Sequence, residues 1–335
     1  MSISIKIEFK ILINKIKNLG SVDSEPLEEK SLQTCDSFLE RAEREIDMLR
    51  KDRSPSTIEN YLTALRSLRR FLGEENTIQQ HNAELIGNYE RWLHVQHVST
   101  NTVSCYMRSI RSLATIMDGD GVKSLFHKVF TGHDKTDKRS INEQKIQTIQ
   151  SLQLPPDTFI SLVRDLFMFS FYCLGMPFVD MAFLKKQNIK NDTIVYFRHK
   201  TGQRITIPLE PCILFIINRY RSSSSDYVFP LLTSPDPDIA YKEYLSKLNR
   251  YNRGLKKLSS MAGFSNLSLT SYVSRHSWAS MMYAEDAELA VISKGLGHAN
   301  PRTTQIYISE IDDNRLAQAN RKLLRKLDAN DEMTE

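Results

Sequence analysis

Cysteine is scarce in this chain of 335 residues, which contains only four. The four stand far apart, and none belongs to a Cys-x-x-Cys pair. Such spacing is typical of reduced thiols in a cytoplasmic protein and excludes the dense disulfide framework of small secreted domains. The pair His94 and His97 could in principle chelate a metal, but no cysteine, aspartate or second histidine pair accompanies it. No metal site is therefore predicted.

The chain also lacks the unbroken apolar run that a signal sequence or a membrane span requires. Its most apolar start, residues 2–11, alternates isoleucine and phenylalanine with Lys6, Glu8 and Lys10. This alternation predicts either a short strand or a poorly ordered arm, and no association with a membrane. Residues 1–31 are accordingly interpreted as an N-terminal extension outside the main domains.

Neither sign of charge dominates, because lysine and arginine exceed aspartate and glutamate only by 45 to 40, with a pI near 8.9. Hydrophobic residues at 41% and charged residues at 25% are typical of a soluble globular protein. A chain of this length favours two domains plus extensions. The slight basic excess is compatible with nucleic-acid binding without establishing it.

Residues 32–131 have a helical pattern throughout. Apolar side chains recur with a period near 3.6 in 56–72 and 100–117, and two more helices are predicted at 32–50 and 83–96. Four such helices predict a compact bundle. Its arginines form either a solvated face or a phosphate-contacting face, and the local sequence does not separate these alternatives. The candidate DNA-contacting residues are Arg66, Arg69, Arg70, Arg108 and Arg111.

A polar, charged stretch at 132–140 has no apolar period and is interpreted as an interdomain linker. Its Lys135, Lys138 and Arg139 would contact phosphates if the chain crosses a DNA duplex there; otherwise the stretch is a solvated tether. A second domain is predicted over 141–311.

In this second domain the pattern changes from helical to extended and back. A long apolar helix is predicted at 156–173, with another starting at Pro177. The extended segments 193–198 and 204–209 flank Lys200 and Gly202, which predicts a hairpin. Further helices are predicted at 213–220, 241–262 and 274–284. The expected fold class is mainly α with a small antiparallel β-sheet (α+β).

The last third contains a motif of polar and basic residues. Arg275 is followed by His276, a Leu-Gly-His run ends at His298, and Tyr307 follows with Thr304 in between. This motif resembles the active-site pattern of the tyrosine recombinase, or phage integrase, family. The resemblance covers about 32–326. It implies a helical core-binding domain followed by a catalytic domain.

The resemblance implies a role for each of four residues. Tyr307 would attack a phosphodiester and form a covalent phosphotyrosyl intermediate, so that no metal, ATP or other cofactor is required. Arg275 would clamp the phosphate, Lys200 would protonate the departing 5′ oxygen, and His298 would donate a hydrogen bond to the phosphate. Each residue also has an ordinary structural interpretation, such as a half-buried tyrosine or a solvated turn lysine. Tyr307 is predicted on a short helix that Asn300 caps.

Two positions depart from the family pattern. The family uses two arginines, and where the first is expected this chain has Leu174 and Pro177. Arg164 is a possible surrogate if the loop folds back, and loss of one such donor typically costs about 10²–10³ in rate. Tyr272 stands where the family usually has a histidine, and a phenol with an ordinary pKa near 10 is a poor general base. His276 could share its work.

Residues 312–335 are predicted as an amphipathic helix and tail that docks either on its own domain or on a neighbouring protomer. The partners that the resemblance implies are duplex DNA and, when synapsed on DNA, a homotetramer of subunits that are monomers in solution. The first functional hypothesis is a site-specific recombinase. The alternatives are a relative that binds recombination sites without efficient cleavage, and a type IB-like topoisomerase.

Overall fold

The computed structural model describes residues 37–73, 83–134, 140–221, 225–300 and 302–305. The chain divides into two compact units, residues 1–136 and 137–335. The N-terminal extension 1–31 and the C-terminal segment 312–335 lie outside the described residues. So do four predicted functional residues: Lys135, Lys138, Arg139 and Tyr307.

The described part of the first unit is helical. Its elements are α1 (Phe38–Leu49), α2 (Pro55–Leu72), α3 (Ala83–Val95), α4 (Thr100–Asp118) and a 3₁₀ helix (Asp120–Phe126). Ser37 caps α1 in a capping box with Glu40, so this helix begins at 38 rather than at the predicted 32. Ser54 caps α2, whose first residue is Pro55.

The core of the first unit comes from the predicted apolar stripes. Tyr61, Leu65 and Leu68 of α2 are buried in the same cluster as Met107 and Ile110 of α4. Burial of each such side chain stabilises the bundle by about 1.5–3 kcal/mol. The interpretation of 56–72 and 100–117 as amphipathic helices therefore agrees with the structure.

The second unit combines helices with one small sheet. Its helices are α5 (Glu143–Ser151), α6 (Phe159–Tyr172), α7 (Phe178–Ala182), a 3₁₀ turn (Lys186–Asn188), α8 (Pro211–Arg219), α9 (Pro237–Met261), α10 (Val273–Ala284), α11 (Leu289–Leu296) and α12 (Arg302–Gln305). Its strands are β1 (Ile189–Lys190), β2 (Thr193–Phe197) and β3 (Arg204–Pro208). The predicted fold class, mainly α with a small antiparallel sheet, is confirmed.

The sheet has the order β1-β2-β3, and both pairings are antiparallel. Ile194 and Tyr196 on β2 are buried, while their neighbours are more exposed, as expected for a strand with one face on the core. The β2–β3 turn contains Gly202 at a φ of +66°, where glycine is favoured. The turn that carries Lys200 is thus held by the sheet beneath it.

Within the described ranges, no helix is both long enough and apolar enough to cross a membrane. The same ranges contain no group of three or more histidine, cysteine, aspartate or glutamate side chains that could hold a metal ion.

Candidate active site

Arg275 lies in the first turn of α10 and is only 1% exposed. Its Nη1 donates a hydrogen bond to the carbonyl oxygen of Gly175 at 2.9 Å, and its Nη2 donates to the carbonyl oxygen of Leu296 at 2.6 Å. Backbone carbonyls stabilise the guanidinium without neutralising its charge. The site therefore contains a buried positive charge held in a fixed place.

His298 lies beside this guanidinium. Gly297 ends α11 in the left-handed conformation, with a φ of +62°, and so turns His298 back toward the helix. The distance from His298 Nε2 to Arg275 Nη2 is 3.1 Å, and from Nδ1 to Thr304 Oγ1 it is 2.8 Å. Since an arginine only donates, Nε2 accepts from Arg275, and Nδ1 then carries the proton that it donates to Thr304.

The electrostatic surroundings of His298 favour this neutral form. Burial lowers the pKa of His298 to about 4, and the charges of Arg275, Arg198 and Lys200 act in the same direction. The charged side chains that lower this pKa, Arg275, Arg198 and Lys200, are all cationic. The imidazole is consequently uncharged at neutral pH, in surroundings suited to an anion.

Lys200 is exposed in the β2–β3 turn. The next residue fixes the position of this turn, because Thr201 Oγ1 donates to the carbonyl oxygen of Gly297 at 3.0 Å. The hairpin tip is thereby attached to the residue that precedes His298. Lys200, His298 and Arg275, which are far apart in the sequence, are brought into one region of the second unit.

Arg198, which belongs to no motif of the sequence and was not predicted, lies in the same region. It is 5% exposed, and its Nη1 donates to the carbonyl oxygen of Gly297 at 3.2 Å. Its Nε lies 3.7 Å from Oδ2 of the buried Asp180, whose Oδ1 accepts from the backbone N–H of His199 at 2.9 Å. Burial raises the pKa of Asp180, and the charge of Arg198 opposes this shift. The signal for Arg198 is the alternation of β2, because residue 198 continues the buried series of Ile194 and Tyr196.

The loop after α6 has no cationic side chain to offer. Leu174 and Gly175 both have positive φ values, of 58° and 70°. Leu174 packs against the apolar cluster that contains Trp278, and Pro177 is the N-cap of α7 rather than its first residue. A Cβ at Gly175 would lie 2.9 Å from Arg275 Cα, so glycine is needed for the close approach of loop and helix. The loop therefore contributes no arginine to the site, but its Gly175 carbonyl oxygen accepts a hydrogen bond from Arg275.

Arg164, the predicted surrogate, makes its contacts elsewhere. Its Nε pairs with Asp165 Oδ1 at 2.8 Å, and its Nη1 donates to the carbonyl oxygen of Leu152 at 2.8 Å. Asp165 is further bound by Arg219 and Tyr220. The structure does not bring Arg164 together with Arg275 or His298.

Tyr272 and His276 lie at the start of α10, within one helical turn of Arg275. Tyr272 precedes the helix and is 44% exposed, and its ring centroid lies 6.5 Å from that of His276. Their position beside the buried arginine is compatible with the roles predicted for them, and those roles stay predictions.

The arginines of the first unit that are predicted to contact DNA fall into two groups by their ion pairs; Arg66, Arg69 and Arg70 are exposed, whereas Arg108 and Arg111 are half-buried. Arg66 and Arg69 form exposed ion pairs with Glu59 and Glu43, at 3.0 and 2.7 Å. Exposed pairs of this kind contribute about 0–1 kcal/mol and can be exchanged for phosphate contacts. The second group has no such carboxylate pair among the described residues; it consists of Arg70, Arg108 and Arg111, of which Arg108 contacts His133.

Two sequence models match the chain. The model of the phage integrase family matches residues 147–313, and that of the phage integrase SAM-like domain matches residues 37–116. Among curated proteins, the chain is 23% identical to tyrosine recombinase XerC of Shewanella amazonensis over 279 residues, which cover 82% of this chain and 91% of XerC.

Two solved structures show the same fold. The Tn1549 transposon integrase in complex with a circular intermediate DNA has a TM-score of 0.62 at 14% identity, covering 85% of this chain and 99% of that one. A lambda integrase tetramer bound to a Holliday junction has a TM-score of 0.60 at 12% identity, covering 90% of this chain and 86% of that one.

Proposed function

This chain belongs to the phage integrase family of tyrosine recombinases, and from that premise we propose that it cuts and rejoins DNA at specific sites through a covalent bond to Tyr307. Residues 141–311 carry out the chemistry, and residues 32–131 help to hold the duplex. The assembly that performs strand exchange is a homotetramer on DNA, as in the lambda integrase structure on a Holliday junction.

In the proposed reaction the phenolic oxygen of Tyr307 forms a bond to phosphorus, and the bond from phosphorus to the 5′ oxygen breaks. The phenolic proton passes to a neighbouring base or to solvent. The ammonium group of Lys200 gives a proton to the departing oxygen. Rejoining is the reverse, with a 5′ hydroxyl from the partner strand as nucleophile, so the phosphodiester energy is conserved.

The observation that supports this function most directly is the cluster of cationic side chains around His298. Arg275 is buried on carbonyl groups, and Arg275, Arg198 and Lys200 place three positive charges around His298. Such fixed donors stabilise the charge that develops on the nonbridging oxygens of a phosphodiester under attack. When the phosphate binds, its negative charge raises the pKa of His298 and favours hydrogen-bond donation from the imidazole.

A pool of nicked duplexes with randomised flanking sequence tests the proposal whatever the target site is. A nick beside the cleaved bond lets the short fragment diffuse away, so the phosphotyrosyl adduct accumulates. We expect the full-length chain to select a defined site and to form an adduct that survives denaturant. Tyr307→Phe should bind the same site and form no adduct.

A second function is supported by the loop after α6, which carries Leu174 and Pro177 in place of an arginine. If the chain selects a site but traps no adduct, it is a site-binding relative that does not cleave. If it relaxes supercoiled plasmids that lack the selected site, the topoisomerase hypothesis is correct instead.

A further inference from the structure

Arg198 is a buried cation that its surroundings satisfy only in part. Its Nη1 donates to Gly297, but its Nε has no hydrogen-bond partner, because the Oδ2 of Asp180 is 3.7 Å away. In the described part of the chain, no residue accepts a hydrogen bond from its Nη2. Burying a guanidinium in this way is costly unless another anion completes its coordination.

Arg275 and Arg198, both buried, bind adjacent peptide groups. Arg275 donates to the carbonyl oxygen of Leu296 and Arg198 to that of Gly297. Consecutive α-carbons are about 3.8 Å apart, so both guanidinium groups lie at the short segment that ends in His298. They reach it from different elements, Arg275 from α10 and Arg198 from the end of β2.

The charges of this region do not balance. Among the described residues, Arg198, Arg275 and Lys200 all lower the pKa of His298, and Asp180 is the carboxylate that pairs with Arg198. Since His298 is neutral, three cations and one carboxylate give this described cluster a net positive charge. A phosphodiester with its single negative charge is the ligand that such an arrangement favours.

We propose that Arg198 is the second phosphate-binding arginine of this site, acting from the β2–β3 hairpin instead of the loop after α6. The inference rests on the proposed function and names a further catalytic residue for it. Arg198 and Arg275 would each hold a nonbridging oxygen while Tyr307 and Lys200 make and break the bonds. Arg164, held by Asp165 and Leu152, is then not required.

Glycine at 297 is what leaves room for Arg198. A Cβ at this position would lie 2.9 Å from Arg198 Cδ and 2.9 Å from Ile205 Cδ1. Gly175 leaves room for Arg275 in the same way, because a Cβ at Gly175 would lie 2.9 Å from Arg275 Cα and 2.9 Å from its Cγ. Each buried arginine therefore passes over a glycine with positive φ, which is the packing expected if both side chains must occupy fixed positions.

The decisive experiment compares two linkages at the scissile position of the selected nicked duplex. One is the natural phosphodiester and the other a methylphosphonate, in which a methyl group replaces one nonbridging oxygen and removes its charge. A guanidinium that neutralises this charge matters for the first linkage and much less for the second. The variants are Arg198→Gln, which keeps a donor for Gly297, and Arg204→Ala, which removes an exposed arginine from the same hairpin.

We expect Arg198→Gln to form adduct about 10²–10³ times more slowly than the unaltered chain on the phosphodiester, and at a rate within about tenfold of it on the methylphosphonate. Arg204→Ala should match the unaltered chain on both. Equal losses on both linkages would show that Arg198 only holds the fold, and an unaffected rate on the phosphodiester would also overturn the proposal.

A thermal unfolding curve shows whether Arg198→Gln folds. If it does not fold, the Arg198→Lys variant is measured in its place. Lysine keeps the charge and should cleave the phosphodiester faster than glutamine but more slowly than arginine, since one ammonium group cannot replace a bidentate donor. A lysine variant that loses activity equally on both linkages contradicts the inference. If the unaltered chain forms no adduct on either linkage, the proposed function fails instead.

Discussion

Replacing Gly297 with alanine should lower both the stability of the second unit and its rate of DNA cleavage. Gly297 has a φ of +62°, and alanine in this conformation costs about 1–2 kcal/mol. The new Cβ would also lie 2.9 Å from both Arg198 Cδ and Ile205 Cδ1, and overpacking of this kind costs about 1–3 kcal/mol. The free energy of unfolding of the second unit should therefore fall by about 2–5 kcal/mol.

Gly263 provides a matched control. Its φ is +75°, but a Cβ there would meet no atom within 4 Å. Gly263→Ala should therefore cost only the conformational part, about 1–2 kcal/mol. The difference between the two variants isolates the contact with Arg198 and Ile205.

Denaturation by urea measures the stabilities, and the rate of adduct formation on a nicked duplex measures the chemistry. Because Arg198 must move to admit the methyl group, Gly297→Ala should cleave at least about tenfold more slowly, whereas Gly263→Ala should cleave normally. Equal stabilities for the two variants would refute the packing argument. A normal cleavage rate for Gly297→Ala would refute the link between this contact and catalysis.

Three further predictions concern charge. The pKa of His298 is about 4 in the folded chain and near 6.5 when unfolded, so the unfolded state binds more protons between these values. Stability should therefore fall as the pH is lowered from 6.5 to 4, by about 1–2 kcal/mol because solvent screens this partly exposed ring. His298→Asn should lack this component in pH-dependent unfolding curves, and parallel curves for the two proteins would contradict it. Asp180→Asn should destabilise the second unit by about 1–3 kcal/mol, because it leaves Arg198 buried without its carboxylate; an unchanged urea midpoint would argue against this pairing. Arg70→Ala and Arg66→Ala should each reduce the slope of log K against log salt by about 0.9 if these residues contact phosphates, and an unchanged slope would assign that residue to a solvated face.

Most of the fold could be predicted from local patterns because the helices bury one face and the hairpin is marked by Gly202. The observed helix boundaries differ from the predicted ones where a capping residue sets them. Ser37, for example, caps α1, so that this helix begins at residue 38 and not at the predicted 32. Helix α5 is not predicted by the sequence, because Ile146 and Ile149 are its only buried residues. Two apolar positions are too few to establish a helical period. β1, of two residues, leaves no pattern at all.

The candidate site was predictable where it resembles a family motif and not where it departs from one. Arg275, His298 and Lys200 stand at recognisable positions, whereas Arg198 stands at the end of a strand and has no motif of its own. Its burial follows from period two along β2, but its partners, Asp180 and Gly297, are set by tertiary packing. Arg164 illustrates the same limit, because its contacts with Asp165 and Leu152 depend on how the chain folds around α6.

The attachment of both arginines to the carbonyls of Leu296 and Gly297 has a consequence for the thermodynamics of DNA binding. A free arginine side chain carries about 2 kcal/mol of rotamer entropy, which is lost when it is immobilised. Arg275 and Arg198 lose this freedom when the chain folds, before any phosphate arrives. This loss of side-chain entropy therefore reduces the free energy of unfolding, and it does not reduce the affinity for DNA.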